Sequence, residues 1–218
     1  MDIKVDEKTV VVFDLDDTLY NEIDYLKSAY MYIAKIVEPV NWKFLYAKMF
    51  SMYRSGENVF EILSSRYDRN IDDLLSYYRF HKPKINLNKG VLEVLNKIKL
   101  KKGKLGIITD GRVKTQLAKI EALEIKDFFD EIIISEAIGS EKPSIQNFKI
   151  LENSLPAKQY IYIADNLKKD FISPNKLRWL TIGMIDSGLN IHSTNWKYHK
   201  DGYLPKDFIF SFEELNIV

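Results

Sequence analysis

The chain of 218 residues contains no cysteine. Disulfides, thiolate-held zinc and a cysteine nucleophile are therefore excluded, and the absence fits a reducing compartment. An excess of charge is missing as well: 32 Lys and Arg stand against 31 Asp and Glu, a net charge of +1. A general nucleic-acid binder ordinarily carries a clear basic excess, so that role is disfavoured. Long apolar runs are missing too. The longest, Ala29 to Ala34, falls far short of the roughly 20 residues needed to span a bilayer. The start, Met1-Asp2-Ile3-Lys4-Val5-Asp6-Glu7, alternates charged and apolar residues instead of setting an apolar stretch behind a basic one, so no secretory signal is expected. There is no internal repeat and no low-complexity tract. These absences lead to the expectation of a cytoplasmic protein with neither membrane nor nucleic acid as partner.

The composition that remains is that of a globular protein, 46% apolar and 29% charged. At about 150 residues per domain, the length allows one large domain or two small ones. Short, continuous apolar runs predict buried strands at Val10 to Leu15, Leu105 to Ile108, Ile132 to Ile134, Tyr160 to Ala164, Leu180 to Ile185 and Phe208 to Phe210. Continuous runs, rather than alternating ones, suit a parallel sheet covered on both faces. Helical stripes lie between them, at Val91, Leu92, Leu95 and Ile98 and at Val113, Leu117, Ile120 and Leu123. Strand and helix in alternation imply a three-layer α/β/α, Rossmann-like core. Residues 20 to 86 break that alternation. They hold several helical patterns, broken at Glu38-Pro39, Ser55-Gly56, Asp68 to Asn70 and Lys82-Pro83, and no convincing strand. A crossover needs only about a dozen residues. The stretch is therefore expected to be an inserted all-helical cap domain (20–86), with 1–19 and 87–218 forming the core around it.

Ligands of open α/β sheets bind beyond the carboxyl ends of the strands. Val10 to Phe13 of the first run is followed by Asp14-Leu15-Asp16-Asp17-Thr18, the second run by Thr109-Asp110-Gly111, the third, after a short loop, by Ser140-Glu141-Lys142-Pro143 and the fourth by Asp165-Asn166, with Asp170 beyond. Clustered carboxylates repel one another unless something positive sits among them. A hard divalent cation with oxygen ligands meets that need, and magnesium fits best. One carboxylate of the Asp14/Asp16 pair could attack phosphorus while its neighbour serves the leaving group and water as acid and base. Thr109 and the backbone N–H groups of Asp110 and Gly111 could cradle phosphate oxygens, with the following helix presenting its N-terminus.

These four motifs, Val-Phe-Asp14-Leu-Asp16-Asp-Thr18-Leu, Ile-Ile-Thr109-Asp-Gly, Ser-Glu-Lys142-Pro and Ile-Ala-Asp165-Asn-Leu-Lys-Lys-Asp170, together resemble the haloacid dehalogenase-like superfamily over nearly the whole chain. The resemblance implies that Asp14 is the nucleophile, forms an aspartyl-phosphate and binds magnesium. It implies that Asp16 is the general acid/base and offers its backbone carbonyl to the metal. Thr109 and Lys142 become phosphate binders, Asp165 the third metal ligand and Asp170 the second acid of the fourth motif, with Thr18 and Asn166 in support. Dehalogenases of the superfamily lack an acid/base at position 16, because a halide needs no proton, so the likeness is to the phosphatase branch. One departure is Ser173-Pro174-Asn175, where many members carry small residues that allow close helix packing.

The expected activity is magnesium-dependent hydrolysis of a small phosphorylated metabolite, a nucleotide monophosphate or a sugar phosphate. A phosphomutase shares the aspartyl-phosphate chemistry. A phospho-acceptor signalling domain shares the acidic cluster but lacks both the first motif and the helical insertion, and a non-catalytic descendant would not retain every expected catalytic residue. Half of the 28 aromatic residues fall in 20–86, where packing of a small bundle explains them better than a stacking platform does. Arg54, beside the Ser55-Gly56 break, is a candidate substrate contact. His192 and His199 are expected at the surface, and His81 in a structural role.

Overall fold

Val10, Val11, Val12 and Phe13 are almost wholly removed from solvent. In the computed structural model, which describes residues 1–192 and 195–218, they lie in the middle of a parallel sheet. The strands in chain order are β1 (Asp2–Ile3), β2 (Thr9–Phe13), β3 (Lys104–Thr109), β4 (Glu131–Ile134), β5 (Gln159–Ala164), β6 (Leu180–Met184), β7 (Asp207–Ile209) and β8 (Asn216–Ile217). Six of them pair, all in parallel, in the order β4-β3-β2-β5-β6-β7. β1 and β8 form a separate parallel pair that ties the first residues to the last. With helices between its strands, this is the α/β, Rossmann-like fold expected. Each strand run extends to within two residues of the expected limits.

The chain divides into two compact units, Met1–Glu22 with Asn86–Val218, and Ile23–Ile85. In the first, β2 is flanked by β3 and β5, so the chain leaves β2 toward one edge and later returns to its other side. That switch in strand order opens a crevice at the carboxyl ends of β2, β3 and β5. Its floor is fixed by register: Phe13 is paired with Ile107 of β3 and Ile163 of β5. The core beneath packs Val10, Val12, Ile108 and Tyr162 against Phe148, Leu151 and Trp179. Phe148 meets Tyr162 and Trp179 edge-on, at centroid distances of 5.2 and 5.4 Å. Helix α8 (Ile145–Ser154) supplies Phe148 and Leu151, and Gly106 of β3 lets it come close: a Cβ there would lie 2.7 Å from Leu151 Cδ1.

The second unit is helical, with α1 (Glu22–Val37), α2 (Trp42–Arg54), α3 (Val59–Tyr67) and α4 (Ile71–Phe80). The helices end where breaks were expected, and local chemistry explains two of the starts. The Asn58 side chain accepts the Glu61 N–H and the Asn70 side chain accepts the Asp72 N–H, each relieving a backbone donor of a first turn. While Tyr32, Phe44 and Phe80 are exposed, other aromatic residues fill this unit's own core, where Tyr30 packs edge-on against Tyr53, Phe60 and Tyr78. His81 is buried among them, its Nδ1 2.9 Å from the Tyr78 carbonyl and its Nε2 3.1 Å from Ser28 Oγ. The remaining helices, α5 (Val91–Leu100), α6 (Val113–Ala122), α7 (Ser135–Ile138) and α9 (Ile172–Lys176), belong to the α/β unit. Among the described residues no helix is long and apolar enough to cross a membrane.

Candidate active site

β2 ends at Phe13, so Asp14 is the first residue beyond it, anchored by its N–H to the Ile163 carbonyl. Thr109 is the last residue of β3 and Asp165 the first beyond β5. These and Asp16, Asp17, Glu22, Asp110, Asn166, Lys169 and His192 line a polar crevice of about 150 Å³.

Lys142 approaches from the loop between α7 and α8, and its side chain is wholly buried. Its Nζ lies 2.6 Å from Asp14 Oδ1, 2.7 Å from Asp170 Oδ1 and 3.2 Å from the Tyr162 hydroxyl. Burial works against its charge, but Asp14 and Asp170 outweigh burial and hold it protonated well above the ordinary range. The loop is tied down twice. Its Lys142 N–H donates to Asp110 Oδ1 (3.0 Å), and Ser173 donates to the Pro143 carbonyl. Ser173-Pro174, the departure noted above, thus sits buried in α9 and anchors the lysine loop. Asp110 also meets Lys169 Nζ at 3.1 Å, so its side chain holds the Lys142 backbone with one oxygen and the Lys169 ammonium with the other.

Burial pushes Asp14 up to about 6, Lys142 opposes the rise and Asp170 adds to it. Asp165 is raised well above the carboxylate range by burial and by the charges of Asp170 and Asp14. Asn190 Nδ2 donates to it at 2.8 Å. Asp170 is fully buried, its other oxygen accepting the Asn166 N–H at 3.0 Å. It does not cap the helix that follows, since α9 starts at Ile172 without a side-chain cap. One carboxylate oxygen from each of Asp14, Asp165 and Asp170 lies within 4.8 Å of the other two. This all-oxygen, excess-negative donor set suits a hard divalent cation such as magnesium.

Asp16 is held differently. Its carboxylate accepts from Lys119 Nζ (2.7 Å), Gln116 Nε2 (3.0 Å) and the Tyr20 hydroxyl. Burial would raise it, but these three donors bring it below the ordinary range. Gln116 also donates to Thr109 Oγ1 at 2.5 Å. Burial and the nearby Asp16 push Glu22 up to about 8.

Gly111 was expected to offer its N–H to phosphate, but that N–H donates to Ser135 Oγ at 2.9 Å, because α7 packs beside the turn. The start of α6 is likewise engaged: Glu136 accepts the Val113 N–H at 2.8 Å. His192, expected only as a surface residue, is exposed and also lines the crevice. Thr18 is fully buried, its hydroxyl has no hydrogen-bond partner among the described residues, and its carbonyl accepts from Asn88 Nδ2. Arg54 lies in the helical unit, exposed at the end of α2. Tyr20, Gln116, Lys119, Tyr162 and Lys169 escaped the sequence reading. Their one available signal was polarity inside otherwise apolar patterns, as with Gln116 and Lys119 three apart on α6.

A parallel α/β sheet with buried acids and a buried lysine at its switch point defines a Rossmann-like enzyme equipped for phosphoryl chemistry. The sequence model of the haloacid dehalogenase-like hydrolases matches residues 11–183, and the chain belongs to that family. A glyceraldehyde 3-phosphate phosphatase of Methanocaldococcus jannaschii is 26% identical over 194 residues, covering 80% of this chain and 84% of that one. A pyrimidine 5′-nucleotidase of Escherichia coli is 27% identical over 132 residues, 58% of this chain and 53% of that one. Among solved structures, a Bacillus subtilis protein assigned to the same hydrolases and bound to magnesium superposes with a TM-score of 0.64. It has 19% identity and covers 95% of this chain and 96% of that one, a likeness of fold. Within its family the chain is a phosphoric monoester hydrolase.

Proposed function

We propose that the chain is a magnesium-dependent phosphatase of small phosphorylated metabolites that works through an aspartyl-phosphate on Asp14. The observation that carries this reading is the convergence of Asp14, Asp16, Thr109, Lys142 and Asp165 on one set of strand ends. The donor set suits magnesium, with Asp14, Asp165 and the Asp16 backbone carbonyl as its ligands and Asp170 behind them. When bound, it would offset negative charge on the phosphoryl oxygens.

On this reading a carboxylate oxygen of Asp14 attacks phosphorus and the ester oxygen departs. Asp16 donates a proton to that oxygen. A water then attacks the aspartyl-phosphate, Asp16 takes its proton, and phosphate leaves with Asp14 restored. Lys142 neutralises charge on the nucleophile and the transferring group, and Thr109 donates to a phosphoryl oxygen. Asp110 serves by holding the Lys142 loop. A sugar phosphate leads as substrate, because the relative aligned over more of the chain is a sugar-phosphate phosphatase; a nucleoside monophosphate follows, from the nucleotidase.

The test is phosphate release from a panel of sugar phosphates and nucleoside monophosphates, with magnesium and with chelator. Hydrolysis should need magnesium and vanish in Asp14→Asn. Full activity in chelator, or in Asp14→Asn, refutes the mechanism. Isomerisation of a sugar phosphate without net phosphate release would assign a mutase instead.

A further inference from the structure

We propose that Tyr20, Gln116 and Lys119 are positioning residues that hold the Asp16 carboxylate in the orientation needed for its two proton transfers. The proposal rests on the reading of Asp16 as acid and base.

The observations begin with α6. Gln116 and Lys119 stand three apart, so they share one face of the helix. That face is buried: Gln116 is 1% exposed and Lys119 4%. A buried helix face ordinarily carries apolar side chains, and burying an ammonium is costly unless a partner compensates it. Lys119 pairs with Asp16, whose side chain remains 20% exposed on the crevice. A lysine held inside the core 2.7 Å from it fixes where the carboxylate on the crevice can sit.

The geometry agrees. Lys119 and Tyr20 both donate to Asp16 Oδ1, and Gln116 donates to Oδ2, so both oxygens are held. Tyr20 is itself fully buried, and Lys119 Nζ lies 6.0 Å from its ring centroid. Asp16 lines the crevice, and the three donors are not among its lining residues. They grip the carboxylate from behind. Gln116 adds a link to the phosphate side of the site, since the same Nε2 donates to Thr109 Oγ1. One helix face thus sets the spacing between a phosphate-binding hydroxyl and a proton carrier. Near-attack geometry is demanding enough that a displacement of about 1 Å costs on the order of a hundredfold in rate.

The test is a double-mutant cycle on steady-state hydrolysis of p-nitrophenyl phosphate and of the best alkyl phosphate found. Lys119→Met should lower kcat by about ten- to a hundredfold with KM little changed. In an Asp16→Asn background the same substitution should cost nothing further, because its effect passes through Asp16. Lys119→Arg should recover part of the loss. Equal losses in both backgrounds, a rise in KM at constant kcat, or no loss at all would each overturn the proposal. Should Lys119→Met fail to fold, as judged by circular dichroism, Gln116→Leu enters the same cycle with the same expectation. An Asp16→Asn enzyme as active as the wild type would instead refute the reading of Asp16, a result distinct from additivity in the cycle.

Discussion

Replacing Lys142 by Met tests the electrostatics of the site at its most buried point. The side chain is wholly enclosed and touches Asp14 at 2.6 Å and Asp170 at 2.7 Å, so its removal leaves two buried acids without their shared cation. Removing one partner of a buried ion pair costs about 3–5 kcal/mol. For a chain of this size, at about 2–4 °C per kcal/mol, the melting temperature of the α/β unit should drop by roughly 6–20 °C. The loss should also depend on pH. Asp14 in the fold titrates at about 6, above the ordinary 3.8, so folding disfavours its ionised form. Its contribution to stability is therefore greatest when it is protonated, declines as pH rises from 3.8 through about 6, and levels off above that. Without Lys142 its value rises further, and the variant gains more than the wild type from acidification. The gap between the two proteins should be widest near pH 7.5 and narrower at pH 5. Thermal unfolding in chelator, followed by circular dichroism at both pH values, measures it. A gap below about 1 kcal/mol at pH 7.5, the ordinary size of a surface effect, refutes the reasoning; so does a gap that widens on acidification.

Three further outcomes are expected. Magnesium at about a hundred times its Kd should add about 2.7 kcal/mol to stability and raise the melting temperature by several degrees, and Asp165→Asn should lose most of that shift; an undiminished shift would remove Asp165 as a ligand. His81 has its value lowered by burial, against the raising effect of its bond to the Tyr78 carbonyl. Its contribution is then complete above pH 6.5 and lost as pH falls through the folded value. Acidification from pH 7.5 to 5.5 should destabilise the helical unit more in the wild type than in His81→Gln, and identical pH profiles would show that His81 plays no such part. Arg54→Ala should raise KM for the best substrate of the panel, and unchanged kinetics would end its candidacy as a substrate contact.

Much of the α/β unit was legible because its signals are local. A β-branched run such as Val10 to Val12 marks a buried strand wherever it occurs, and the first polar residue after it marks the strand's carboxyl end. Asp14, Thr109 and Asp165 could be found in this way without knowing which strands pair. Lys142 was legible only as a motif, because nothing local distinguishes it from a surface lysine. The engagement of Gly111 was hidden for a different reason: whether a turn N–H is free depends on what packs beside it, and Ser135 comes from another strand's end.

By itself, then, the sequence determined the alternation of strand and helix, the helical insertion and the chemistry carried to each strand end. These follow from hydrophobic periodicity and from turn residues acting over a few positions. Only the tertiary structure decided which charges meet. Lys142 and Asp14 are 128 residues apart and Gln116 and Asp16 are 100 apart, and no local rule relates such positions. The strand order brings β2 between β3 and β5, buries the lysines that face the acids, and leaves Asp165 with carboxylate neighbours. The near-zero net charge counted at the start is an average over the chain. Folding separates it into compensated pairs at Lys119 and Lys142 and an acidic cluster suited to a cation the sequence does not itself contain.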